Sequence, residues 1–231
     1  MSVVWRGDLI QAFVSLAVTL LLMAGALFLS AGTLQWAHGL WFMAAFLFFT
    51  LVAMAWLWRV NPEIFVARRR LTGQGTKGWD LLLLFILLGS FLATLIVAGL
   101  DDGRFHWAPA PPWAVLVGYC LLLAGYLGTG WAQAVNRHFE PSVRIQSDRD
   151  HHVIMTGPYA YVRHPGYIFG IVLTFGIALA LGSLWALLPA MLVVVVLLVR
   201  TILEDATLHR ELSGYAEFAS RTRYKWIPGI W

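Results

Sequence analysis

Polar and apolar residues in this chain are segregated into long blocks instead of alternating with a short period. Leu9 to Ala31, Trp36 to Trp58, Trp79 to Leu100 and Trp113 to Val135 are each almost free of charge. Each runs about 20 residues or slightly more, the length at which an α-helix crosses a hydrocarbon core about 30 Å thick. A fifth block, Tyr167 to Val199, is too long for one crossing, and Gly182-Ser183 divides it. The pattern predicts a tight helical hairpin there, with spans near 167–181 and 184–203. Its first half is short, and Pro189 is expected to kink the second. The expected fold is all-α: one polytopic membrane domain over 1–231, with about six transmembrane helices. Four of these lie within 1–135, and the hairpin belongs to a C-terminal core over 136–231.

Charge placement tests this division independently. Of 16 Lys and Arg residues, all but Arg104 fall in the amino terminus, the 59–78 loop, the 136–166 loop or the 200–231 tail. Positive charge accumulates in cytoplasmic loops, so both termini are expected to be cytoplasmic, in a bacterial inner membrane or one of endoplasmic-reticulum type. A five-span chain would put either the amino terminus or the basic tail outside. The net charge of +4 follows from this rule and calls for no nucleic-acid partner. Hydrophobic residues make up 60% of the chain and charged ones 12%, half the share of a soluble domain. Trp36, Trp58, Trp79, Trp107 and Trp113 sit at predicted span ends, as an interfacial aromatic belt would. The first block is too long for a signal-peptide core and is read as a helix.

Several residues invite chemistry and receive a plainer reading. Cys120 is the single cysteine and lies inside the fourth span, so it is read as packing. Gly125, Gly128 and Gly130 are read as small residues that let helices approach, not as a phosphate loop. No Gly-x-Gly-x-x-Gly follows a strand pattern, and no Walker-type loop is present. Arg68-Arg69-Arg70 is read as an orientation and lipid-headgroup feature. His151 and His152 are expected to face solvent, and no metal site is expected.

Polar material at the membrane boundary concentrates in two places. The first is Asn136-Arg137-His138-Phe139 through Gly157-Pro158-Tyr159 and Arg163-His164-Pro165-Gly166-Tyr167. Pro165 suits the first turn of a helix, which makes His164 a candidate cap. Such a helix start would offer free N–H groups to an anion, with the charge of Arg163 beside it. The second place runs from Arg200 to Trp231. Arg200 and Glu204 are one helical turn apart, as are Asp205 and His209. Arg before Glu is the weaker orientation for a helical pair, and acids this near hydrocarbon are costly, so a ligand role is favoured over simple salt bridges. Acids suit hydroxyl and ammonium groups, so the two places together fit a ligand with a carboxylate, a ribose, an amine and a cationic centre.

The Arg163-His164-Pro165-x-Tyr167 element, followed about 37 residues later by Glu204-Asp205 and then by Gly214-Tyr215, resembles the integral-membrane methyltransferases. That superfamily includes isoprenylcysteine carboxyl methyltransferases and phospholipid N-methyltransferases. The resemblance covers about Asn136 to the end. It implies a cytoplasmic pocket for S-adenosylmethionine, closed over by the C-terminal segment. In that pocket His164, Tyr167 and Glu204 would contact the cofactor, while Tyr159, Arg163 and Pro165 would shape it. Asp205 stands where the family carries a second Glu, one methylene shorter. Asn136 and His138 loosely resemble an Asn-His element assigned to the substrate.

The implied reaction moves a methyl group from a sulfonium to a lipophilic or amphiphilic acceptor. Alignment and exclusion of water matter more there than a covalent enzyme nucleophile. A carboxylate acceptor, the isoprenylcysteine-like case and the favoured one, could be held by Arg221 or Arg223, or by Arg200. An amine would need a base, for which Glu204 or His164 could serve. A phospholipid amine or a small thiol would be alternative acceptors. Related membrane folds also include NADPH-dependent sterol reductases, and a non-catalytic lipid-binding protein is a third reading. Membrane lipids are the expected surroundings, and no obligate protein partner is evident.

Overall fold

Residues 4–68 and 72–231 are described by the computed structural model, without the side chains of 4–6. Arg69 and Arg70 of the basic triplet lie outside them. The described residues form helices and loops with no strand; one isolated bridge joins Pro109 and Ser183. In chain order the helices are α1 (Val4–Ala31), α2 (Ala37–Val60), α3 (Glu63–Ala67), α4 (Gly78–Ala98), α5 (Pro112–Val135), α6 (Pro165–Ala180), α7 (Leu187–Glu211) and α8 (Tyr215–Arg221). A π-helical turn, Gly99–Phe105, ends α4. Among the described residues, five helices are long and apolar enough to cross a membrane: α1, α2, α4 with its π turn, α5 and α7. The remaining expected span, the fifth in chain order and here α6, has 16 residues. At 1.5 Å per residue that is about 24 Å, short of a full hydrocarbon core.

The hairpin divides where the sequence breaks. Gly182 adopts a positive φ of 78°, and an added Cβ there would lie 2.9 Å from the Asp102 carboxyl. Pro189 falls in the first turn of α7, where a missing N–H costs no internal hydrogen bond, so the expected kink in mid-span is replaced by a helix start. The closest helix pair is α5 with α6. A Cβ on Gly125 would sit 2.7 Å from Leu173 Cα, and Gly118 and Gly176 meet the opposing backbone just as tightly. Gly128 abuts the Phe169 ring, while Gly130 faces Trp56 of α2. These contacts are the small-residue packing expected of membrane helices. Cys120 is exposed on α5 and faces outward.

Trp107 and Trp113 are exposed at span ends, in keeping with a belt. Trp36 is not: it is buried, and its Nε1 donates to Asp102 at 2.7 Å. Asp102, drawn in by the π turn, competes successfully with the interface for that N–H. The other end of the bundle carries the 136–164 loop, α8 and the C-terminal tail, and these enclose a cavity.

Candidate active site

The cavity has a volume of about 370 Å³ and is walled by α6 and α7 on one side and the 136–154 loop on the other. Pro165 opens α6 with His164 as its flanking residue, as proline at a first helical position should. The ring of His164 then stacks on that of Tyr167, with centroids 5.6 Å apart and planes 6° from parallel. The Tyr167 hydroxyl donates a short hydrogen bond to Glu204 Oε2. His164 Nδ1 lies 3.7 Å from the same carboxylate. No described Lys or Arg comes within ion-pair distance of Glu204; Arg200, one turn away, is bound elsewhere.

Just ahead of the helix start, two backbone donors are taken up by the C-terminal tail. The N–H groups of Arg163 and His164 donate to Tyr224 and Lys225 carbonyls at 2.9 and 3.0 Å. The tail reaches them because Trp226 is buried against Val193 and Leu197 and donates to Thr201 at 2.9 Å. Arg163 also lines the cavity, and its buried Nε has no partner.

Asp205 stands behind the wall instead of lining it. Its carboxylate holds Arg163 at 3.1 Å, His164 at 3.4 Å and the Tyr215 hydroxyl at 2.8 Å. Burial and that nearby carboxylate push the Tyr215 hydroxyl well above the usual tyrosine range, so it stays a donor. All three meet Oδ1; where the resemblance implies direct ligand contact by Asp205, this arrangement lets it hold the cavity-lining Arg163 and His164 in place.

On the loop side, Asn136 donates to the Tyr159 hydroxyl at 2.9 Å and accepts the His138 N–H at 2.9 Å. His138 is buried; Gln146 donates to its carbonyl at 2.7 Å. Burial lowers the His138 imidazole to about 4, and burial with neighbouring positive groups does the same to His151. His151 and His152 both line the cavity; His151 is half-buried, and of the two only His152 is exposed as expected. Arg144 is clamped between Glu140 at 2.7 Å and Asp148 at 2.6 Å, which raises its guanidinium further.

Tyr159, Arg163, His164, Pro165, Tyr167, Glu204, Asn136, His138 and Arg200 all line this one cavity. Arg221 and Arg223 do not. Arg221 pairs with Glu217 one turn away on the exposed side of α8, and Arg223 is exposed, with only its carbonyl reaching Arg163. A seven-residue helix beyond a buried Tyr215 turns these arginines outward. Sequence reasoning missed Asp80, whose carboxylate binds Arg200 Nε at 2.7 Å. The one signal was an acid in the first turn of an otherwise apolar span.

The described residues thus form an all-helical bundle with a polar cavity at one end, where a proline-led helix faces an acidic one. Residues 113–213, α5 to the end of α7, match the family model described as phospholipid methyltransferase, a family of integral-membrane methyltransferases. The match begins earlier than the motifs read from sequence and stops before Tyr215. No curated protein matches the chain.

Proposed function

We propose that this protein transfers a methyl group from S-adenosylmethionine to an amphiphilic acceptor. The observation that carries this reading is the convergence of His164, Tyr167 and Glu204 on one cavity, with no described Lys or Arg within ion-pair distance of Glu204. A carboxylate this near hydrocarbon is costly unless something positive or hydrogen-bonding meets it. The residues suit the cofactor: Glu204 for its ammonium or ribose hydroxyls, the orphaned Arg163 Nε for its carboxylate, and the His164–Tyr167 pair for a flat ring. The cofactor supplies an electrophilic methyl group on a sulfonium. The chain's own contribution is to hold, orient and exclude water.

For the acceptor, the arginines argue for an amine or thiol. Arg221 and Arg223 lie outside the cavity, Arg200 is paired with Asp80, Arg144 with Glu140 and Asp148, and Arg68 on the cavity wall packs over the Phe139 ring. An ammonium acceptor must lose its proton before attack, and Glu204 or His164 stands ready to take it. Arg163, with one nitrogen unpartnered, is the observation that keeps a carboxylate acceptor of the isoprenylcysteine kind as the second reading.

Calorimetry in detergent with S-adenosylmethionine, its demethylated product and NADPH tests the proposal. Binding of the first two is expected; heat from NADPH alone would move the protein to the reductases. We place the cavity and both termini on the cytoplasmic side, from the charge distribution. With Cys120 replaced, a cysteine at exposed Phe105 should label from the side opposite to one at the carboxy terminus.

A further inference from the structure

Arg200 and Glu204 occupy adjacent turns of α7, and helix geometry alone would pair them. The structure diverts Arg200 across the bundle to Asp80 in the first turn of α4. Asp80 Oδ1 accepts from Arg200 Nε at 2.7 Å and Oδ2 from Nη2 at 3.1 Å. The same Oδ2 accepts the Val143 N–H at 2.7 Å, and Arg200 Nη2 also donates to the Pro141 carbonyl at 2.5 Å. The Asp80 side chain is 0% exposed and that of Arg200 8%. The guanidinium lies 5.5 Å from the Tyr167 ring centroid, on the cavity wall next to Glu204. A buried ion pair is weak evidence for stability, because desolvation offsets most of its attraction. Its consequence here is electrostatic: a deeply buried cation of the cavity wall is cancelled from outside the family-matched segment.

We infer that Asp80 is a positioning residue that sets the charge of the cavity. By holding and neutralising Arg200 it keeps Glu204 available to a cationic ligand. The inference rests on the cofactor reading above. Without the Asp80 carboxylate, Arg200 turns to Glu204, and a positive ligand meets an added positive charge.

S-adenosylmethionine and S-adenosylhomocysteine differ by the sulfonium charge, so the ratio of their affinities reads that charge directly. A merely structural clamp would weaken both alike. In calorimetry on the full chain, Asp80→Asn should lower the preference for S-adenosylmethionine over S-adenosylhomocysteine by about three- to tenfold. Asp80→Glu should restore it, and the double variant Asp80→Asn/Arg200→Gln should return to the wild-type ratio. Where Asp80→Asn does not fold, Arg200→Gln reads the same ratio with the opposite sign, raising the preference. Equal losses for both compounds, or an unmoved ratio in Arg200→Gln, overturn the inference and leave the methyltransferase reading intact. A wild-type chain that binds neither compound overturns both.

Discussion

Where α4 gives way to α5, Asp101 is wholly buried and spends both carboxylate oxygens inside the protein, accepting the Ala108 N–H at 2.7 Å and the Ser183 hydroxyl at 2.6 Å. Its neighbour Asp102 receives Trp36 at 2.7 Å and meets His38 at 2.6 Å. At the far end of the bundle, Glu204 meets Tyr167 and the edge of His164 and otherwise faces a cavity of about 370 Å³. Both ends place acids at the limit of hydrocarbon, and both lie beside the α6–α7 hairpin. The first cluster is closed: each acid is matched by donors from another segment of the chain. The second is open: donors and acceptors are matched around the wall, while Glu204 and Arg163 Nε are left facing in or unpaired. Polar groups in a membrane protein mark a ligand site when the protein itself does not complete them.

The largest effect should come from opening the closed end. Asp101→Ala leaves the Ala108 N–H and the Ser183 hydroxyl buried without an acceptor. A stability loss of about 3–5 kcal/mol is expected from two orphaned groups, with ligand affinity per folded molecule unchanged. Thermal unfolding in detergent, paired with calorimetry, checks both halves; an affinity loss without a stability loss would erase the contrast between the two ends. Glu204→Gln should do the reverse, weakening cofactor binding by about 1.5–3 kcal/mol, the worth of a charge-assisted hydrogen bond, while the melting temperature stays close to wild type. Unchanged affinity would remove this residue from the site.

A smaller effect should follow pH at the open end alone. His138 and His151 are held to about 4, whereas unfolded histidine titrates near 6.5. The opened loop therefore binds more protons than the closed one between these values. The stability this gives the loop is complete above about pH 6.5 and falls as the pH drops toward 4. Hydrogen exchange in residues 136–155 should accelerate over that window while the amides of α5 do not. Uniform acceleration in both regions would show that the loop is not a separate unit. The smallest change should be Arg221→Gln, which breaks an exposed pair with Glu217 and should stay within about 0.5 kcal/mol for stability and for binding.

The hydrophobic blocks determined the helices, the split at Gly182-Ser183 and the small-residue seam, because in lipid the backbone must satisfy itself within each helix. The sequence of His164-Pro165-x-Tyr167 likewise carried its own geometry: proline starts the helix, and the spacing stacks the two rings. Tertiary structure decided what the charges do. Local spacing pointed Arg200 at Glu204, yet a bundle brings α4 against α7 and offers Arg200 both oxygens of Asp80. Asp205 reads as a ligand contact beside Glu204, but adjacent helical positions point about 100° apart, so one acid faces the cavity and the other faces Arg163 and Tyr215 behind it. Arg221 and Arg223 looked poised to close over the site because tail position was all the sequence offered; the packing of Tyr215 and Trp226 set which way they turn. Helix formation is a property of neighbours in the chain, whereas the pairing of a buried charge depends on which helix arrives beside it.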